Sequence, residues 1–182
     1  MVFRILILLL VAMPAWAAEV AGVNIDEKAR VANTELSLTG AGVRKRVFFQ
    51  VYAIGLYVQE RKADPISQPG PKRVQIHMLR DVGADTFNEA LAEGIKANHS
   101  EAQAKVLEPR VAQLAATIAE IKDAKKGMTI ALDWDGKATQ VMIDGRPAGQ
   151  PIEGEDFYRA LLKIWLGDKP VQDDLKRALL GV

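Results

Sequence analysis

From Val31 to Leu79 the chain is dominated by β-branched and aromatic residues, in three runs: Val31 to Leu38, Val47 to Gln59 and Arg73 to Leu79. Each is predicted to be a strand. The Pro/Gly cluster from Asp64 to Pro71 is a loop between the second and third, placed too early to divide two domains. The apolar spacing then changes period. Phe87, Ala90, Leu91 and Ile95 fall on one helical face, with Asp85 as the expected N-cap. Ser100 opens a second helix, Gln103 takes the capping-box position, and Val106, Leu107, Val111, Leu114, Ile118 and Ile121 form its face. Pro109 lies inside that helix and is expected to kink or restart it. Strands return at Met128 to Trp134 and Thr139 to Ile143, joined by the hairpin turn Asp135-Gly136. A turn at Asp144-Gly145, a short strand near Gly149 to Ile152, and helices over Glu155 to Trp165 and Val171 to Leu180 complete the chain. Strand and helix blocks are segregated, which predicts an α+β fold with an antiparallel sheet and helices on one side.

Composition narrows the function classes. Arg4, the apolar run Ile5 to Met13, Pro14 and Ala15-Trp16-Ala17 read as a secretory signal peptide over residues 1–17, leaving a single domain over 18–182. The apolar run is about nine residues, whereas a membrane span needs roughly 20. A periplasmic location with no stable membrane insertion after signal cleavage is therefore expected. The chain has no cysteine, so disulfides, thiolate nucleophiles, zinc thiolates and Fe–S clusters are excluded. A formal charge of +1 gives no footprint for nucleic acid. His77 and His99 lie in different predicted elements, outside any metal-ligand or phosphate-loop spacing, so neither a metal nor a cofactor is expected. Asp133, Asp135 and Asp144 fall at strand ends and turns, where aspartate serves the backbone.

The remaining chemistry lies in Gly40-Ala41-Gly42-Val43-Arg44-Lys45-Arg46 and the apolar run after it. Counted as one strand, Arg44, Arg46, Phe48, Gln50, Tyr52, Ile54 and Leu56 share a face. Both faces are apolar beyond residue 46, as in a central strand covered on both sides. Polar atoms at Arg44, Gln50 and Tyr52 then need partners, either backbone groups or a bound anion. Arg44 and Tyr52 would stand about 26 Å apart on a straight strand, at roughly 3.3 Å per residue. Either the chain bends between them, or they line opposite ends of an elongated groove.

The segment Gly40-Ala41-Gly42-Val43-Arg44, followed by Val51-Tyr52-Ala53-Ile54-Gly55-Leu56-Tyr57-Val58, resembles the signature of the chalcone isomerase family. The tail from Phe157 to Val171 is similar to the end of its bacterial exported branch. The resemblance implies an open-faced β-sandwich: a large antiparallel sheet, helices packed on one face, and a ligand cleft between them. It also implies either of two activities. In the isomerases the arginine matching Arg44 stabilises a developing enolate; in the fatty-acid-binding members it pairs with the ligand carboxylate. A threonine of the plant isomerases is replaced here by Tyr52, and a tyrosine at the start of the first helix falls near Phe87. The link between the arginine and the motif strand is also shorter.

These residues point to non-catalytic binding of a small amphipathic anion such as a fatty acid, its carboxylate near Arg44 and Tyr52. Phe48, Ile54, Phe87 and Leu91 are expected to enclose the apolar part. The alternative is an isomerase or lyase acting on an enone-like substrate, with Arg44 and Tyr52 as the candidate catalytic residues. A structural envelope protein with a filled cleft is a third class.

Overall fold

The computed structural model describes residues 17–61 and 64–182. The expected leader lies, but for Ala17, outside the described residues. In chain order the elements are β1 (Ala17–Val20), β2 (Val23–Asp26), β3 (Lys28–Val31), β4 (Thr34–Arg46), β5 (Phe49–Val58), β6 (Lys72–Met78), β7 (Val82–Gly83), α1 (Ala84–Ala97) and α2 (Glu101–Ala119). They continue as β8 (Asp123–Ala124), β9 (Thr129–Trp134), β10 (Ala138–Ile143), β11 (Arg146–Glu153), α3 (Glu155–Leu166) and α4 (Asp173–Leu180). Seven strands form one curled antiparallel sheet in the order β11-β10-β9-β6-β5-β4-β3, and all four helices pack on it. The expected α+β architecture is the observed one.

Strand parity explains the layering. In β6, Lys72, Val74, Ile76 and Met78 are buried while Arg73, Gln75 and His77 are half-buried, so one face of the sheet carries the main core. α3 lies against that face with Phe157, Leu161, Leu162, Ile164 and Trp165 all buried. The opposite face holds a smaller cluster, Ile25, Leu36, Leu38, Ala53 and Tyr57, covered by the β1–β2 hairpin. On that face Arg73 grips Asp133 with two parallel hydrogen bonds, and His77 contacts Gln75 and Thr129.

The local differences from expectation have physical causes. Val31 to Leu38 is not one strand: Ala32, at φ 51°, turns the chain between β3 and β4. β4 then runs through the Gly-Ala-Gly segment to Arg46. Thr39 is bulged out of the β4–β5 ladder, so Leu38 pairs with Tyr57 while Gly40 pairs with Leu56. That extra residue moves the glycines and Arg44 to the helix face. α1 begins from Gly83 rather than Asp85, which sits in its first turn near the positive helix end. α2 passes through Pro109 as one helix, and its capping box forms between Ser100 and Gln103 as expected.

Burial of His77 holds its imidazole below the ordinary value of 6.5. The unfolded chain therefore takes up a proton that the folded chain refuses, and stability rises with pH through the window just below 6.5. We expect acid destabilisation as the pH falls below about 6.5, with a shallower slope in His77→Gln. Urea melts of both proteins across that range check it; equal slopes would remove His77 from the explanation.

Candidate functional site

The turn between β4 and β5 decides the geometry of the site. Val47 takes φ 56° and reverses the chain at Val47-Phe48. Arg44 and Tyr52 are thereby direct partners across the ladder. Val51 is the bulged residue, since Tyr52 pairs with Arg44 while Gln50 pairs with Lys45. Directly opposed residues on one face stand about 5 Å apart at Cβ. The bend alternative raised by the spacing is the one the chain adopts: Arg44 and Tyr52 still share a face, but as neighbours on two strands, while the turn and the bulge take Phe48 and Gln50 off that face.

Arg44 and Tyr52 open onto a cavity of about 500 Å³ between the sheet, α1, α3 and the loop before α4. Ile76 and Val51 line it from the sheet, Phe87, Leu91 and Gly94 from α1, and Ile164 and Trp165 from α3. Val171 and Pro170 close one side. Glu89, Glu93, Arg46 and Lys169 supply mixed charge around it. The interior surface is more apolar than polar, with polar and charged groups supplied by the sheet, α1 and the loop before α4.

Tyr52 is the polar group set deepest by its neighbours. Its hydroxyl accepts a hydrogen bond from Trp165 Nε1 at 3.0 Å. Burial raises its pKa above 10.0, against the opposing influence of the indole and of Arg44. The phenol is therefore neutral near pH 7, and having accepted from Trp165 it retains its own proton to donate. Trp165 is fully enclosed by the core, so this contact also satisfies an indole donor that would otherwise be stranded.

Arg44 is steadied from α4. Its Nη1 donates to the Lys45 carbonyl at 2.6 Å and more weakly to Gln172 Oε1 at 3.3 Å. Gln172, the N-cap of α4, also accepts from Lys45 N at 2.8 Å and donates to the Val43 carbonyl at 3.1 Å. One side chain thus fixes the backbone on both sides of Arg44. Among the described residues no carboxylate forms an ion pair with Arg44, and its remaining N–H donors are left for something else.

The glycine pair supports this arrangement. A methyl on Gly40 would collide with the Ala178 carbonyl oxygen and lie 2.8 Å from that of Leu179. One on Gly42 would lie 2.7 Å from Leu175 Cδ1. Two bare backbone positions let α4 sit directly on β4, which carries Gln172 to Arg44.

Of the six residues expected at the site, Arg44, Tyr52, Phe87 and Leu91 surround one cavity. Phe48 does not: it stands at the hairpin tip, 93% exposed. Ile54 faces the helices as expected, but it lies deeper in the core, with Trp165 and Leu162 packed over it. Trp165 and Gln172 are the participants missed from the sequence. Trp165 lies in the tail from Phe157 to Val171 and Gln172 directly after it, where α3 ends and α4 starts. Among the described residues there is no cluster of His, Asp or Glu able to hold a metal, and no helix long and apolar enough to cross a membrane.

A sequence model described as chalcone isomerase-like matches residues 17–181. The chain belongs to the chalcone isomerase-like family. Among solved structures it is similar to a fatty-acid binding protein of Arabidopsis thaliana, with TM-score 0.70 and 14% identity, over 88% of this chain and 92% of that one. At that identity the likeness concerns the fold. No curated protein sequence matches the chain significantly. Phe87 forms part of the cavity wall without a hydroxyl, and Arg44 lines the same cavity.

Proposed function

We propose that this chalcone isomerase-like chain binds a small amphipathic anion, such as a fatty acid, without turning it over. The observation that carries the reading is the pairing of Arg44 with Tyr52 at a cavity whose sheet, α1 and α3 walls include Val51, Ile76, Phe87, Leu91, Ile164 and Trp165. A guanidinium with N–H groups to spare and a neutral phenol with an unused proton line the same cavity as ladder neighbours, and a carboxylate has two oxygens to offer them. The apolar walls from α1 and α3 suit an alkyl chain. The fatty-acid binding protein that shares the fold supports the choice of ligand class. The leader-like segment supports action in the periplasm.

Arg44→Ala is expected to weaken laurate binding by about 1.5–3 kcal/mol, or roughly 10- to 150-fold. Titration calorimetry with laurate and with the matching alcohol separates charge from chain burial, because the alcohol should lose little. Unchanged laurate affinity in the variant would sink the assignment.

The same two donors would also stabilise an enolate oxygen, which keeps an isomerase or lyase reading in view. Loss of enone absorbance on mixing with a chalcone, abolished by Arg44→Ala, would establish it.

A further inference from the structure

We propose that the tip of the β4–β5 hairpin is a docking element for an anionic phospholipid bilayer. Val47, Phe48 and Phe49 are consecutive and are 80%, 93% and 58% exposed. Three adjacent large apolar side chains in water are an unusual surface feature on a soluble domain and mark an interaction site. Their geometry adds a second cost. Val47 takes a left-handed conformation, at φ 56°, that a β-branched residue strongly resists. A turn selected only to reverse the chain would place glycine or asparagine there. Neither solvation nor turn formation accounts for Val-Phe-Phe, whereas an apolar partner does.

The surrounding charge identifies that partner. Lys45 and Arg46 are exposed just behind the tip, and the Arg80 guanidinium lies over the Phe49 ring at 4.6 Å. Among the described residues none of the three forms an ion pair. Asp174 is near enough to Lys45 to feel its charge, and Asp81, beside Arg80, is held by Lys125. An apolar point ringed by cations matches the bilayer interface: aromatic side chains enter at headgroup level while basic groups meet the lipid phosphates. A protein groove would need no such cationic collar.

The hairpin that carries the tip also carries Arg44, Arg46, Val51 and Tyr52 of the cavity. Docking would set the cavity mouth against the leaflet, so that an acyl ligand could enter without crossing bulk water. That consequence rests on the proposed ligand class; the docking itself does not.

The test is co-sedimentation of the full chain, without added ligand, with vesicles of phosphatidylcholine alone or with one-third phosphatidylglycerol. Binding is expected to the anionic vesicles, to weaken with rising salt, and to fall about tenfold or more in Phe48→Ser. Lys45→Glu is expected to reduce it as well. Thermal melts of Phe48→Ser should match the parent, because the side chain packs on nothing. No binding to anionic vesicles, equal binding to both vesicle types, or binding indifferent to Phe48→Ser overturns the proposal. So does Phe48-dependent dimerisation in solution without vesicle binding, which would make the occupant a second copy. Laurate titration without vesicles reports on the cavity alone, so failure of either idea is distinguishable from failure of the other.

Discussion

Gly40→Val is expected to unseat α4 and to cost at least about 3 kcal/mol, the upper part of the range for forcing atoms into a packed interior. The opposing atoms are backbone carbonyls of Ala178 and Leu179, which cannot rotate away as a side chain would. Relief requires the whole helix to lift. Leu175 and Leu179 then lose their burial, and Gln172 withdraws from Val43, Lys45 and Arg44. Two measurements should therefore move together: a lower denaturation midpoint, and weaker laurate binding in whatever fraction stays folded. Gly83→Ala is the control, since its new methyl meets nothing closer than 3.8 Å. A Gly40→Val protein with parental stability and parental binding would contradict the seating role given to the Gly-Ala-Gly segment.

The second large effect concerns the floor of the cavity. Trp165→Ala is expected to cost about 3–5 kcal/mol, as for other buried large-to-small changes at aromatic positions. It should also join the cavity to the closed crevice among Ile54, Leu56, Val74 and Leu162 beneath the indole. The folded variant should then favour a longer alkyl chain than the parent does. Trp165→Phe isolates the polar contribution: it leaves most of the floor in place but removes the donor to Tyr52, at a cost of about 1–3 kcal/mol. A series of fatty acids of increasing length, titrated against each protein, reads the depth directly. An unchanged length preference in folded Trp165→Ala would show that the indole does not set it.

Much of this architecture was legible as periodicity. The Phe87, Leu91 and Ile95 face of α1, the span of α3, the Ser100–Gln103 capping box and the Asp135-Gly136 hairpin are local patterns with local causes, and they appear where the sequence placed them. The site was legible only in part. Arg44 and Tyr52 were identifiable by type, but their approach depends on a turn at Val47, a residue that turn chemistry gives no reason to expect there. Phe48 was assigned to the cavity by carrying strand parity through that turn. Ile54 was assigned to the correct face, yet face says nothing of depth, and depth is set by Trp165 more than a hundred positions later in the chain. Gln172 reaches Arg44 only because two glycines and a bulge at Thr39 bring α4 down onto β4. Such long-range packing leaves no periodic trace.

The outermost strand β11 carries Pro147 and Pro151, which have no N–H to offer a further strand. Its carbonyls at Gln150 and Pro151 are met by Gln113 of α2, at 3.3 and 3.4 Å. Thr117 of α2 crowds the space beside Gly149. At the other end of the sheet β3 is only four residues long. β3 covers only Thr34 to Ser37 of β4, and beyond it Gln172 takes up the Val43 carbonyl and the Lys45 N–H, so edge-to-edge pairing is hindered at both borders. A chain with an exposed Val-Phe-Phe tip gains from sheet borders that discourage a second route to self-association.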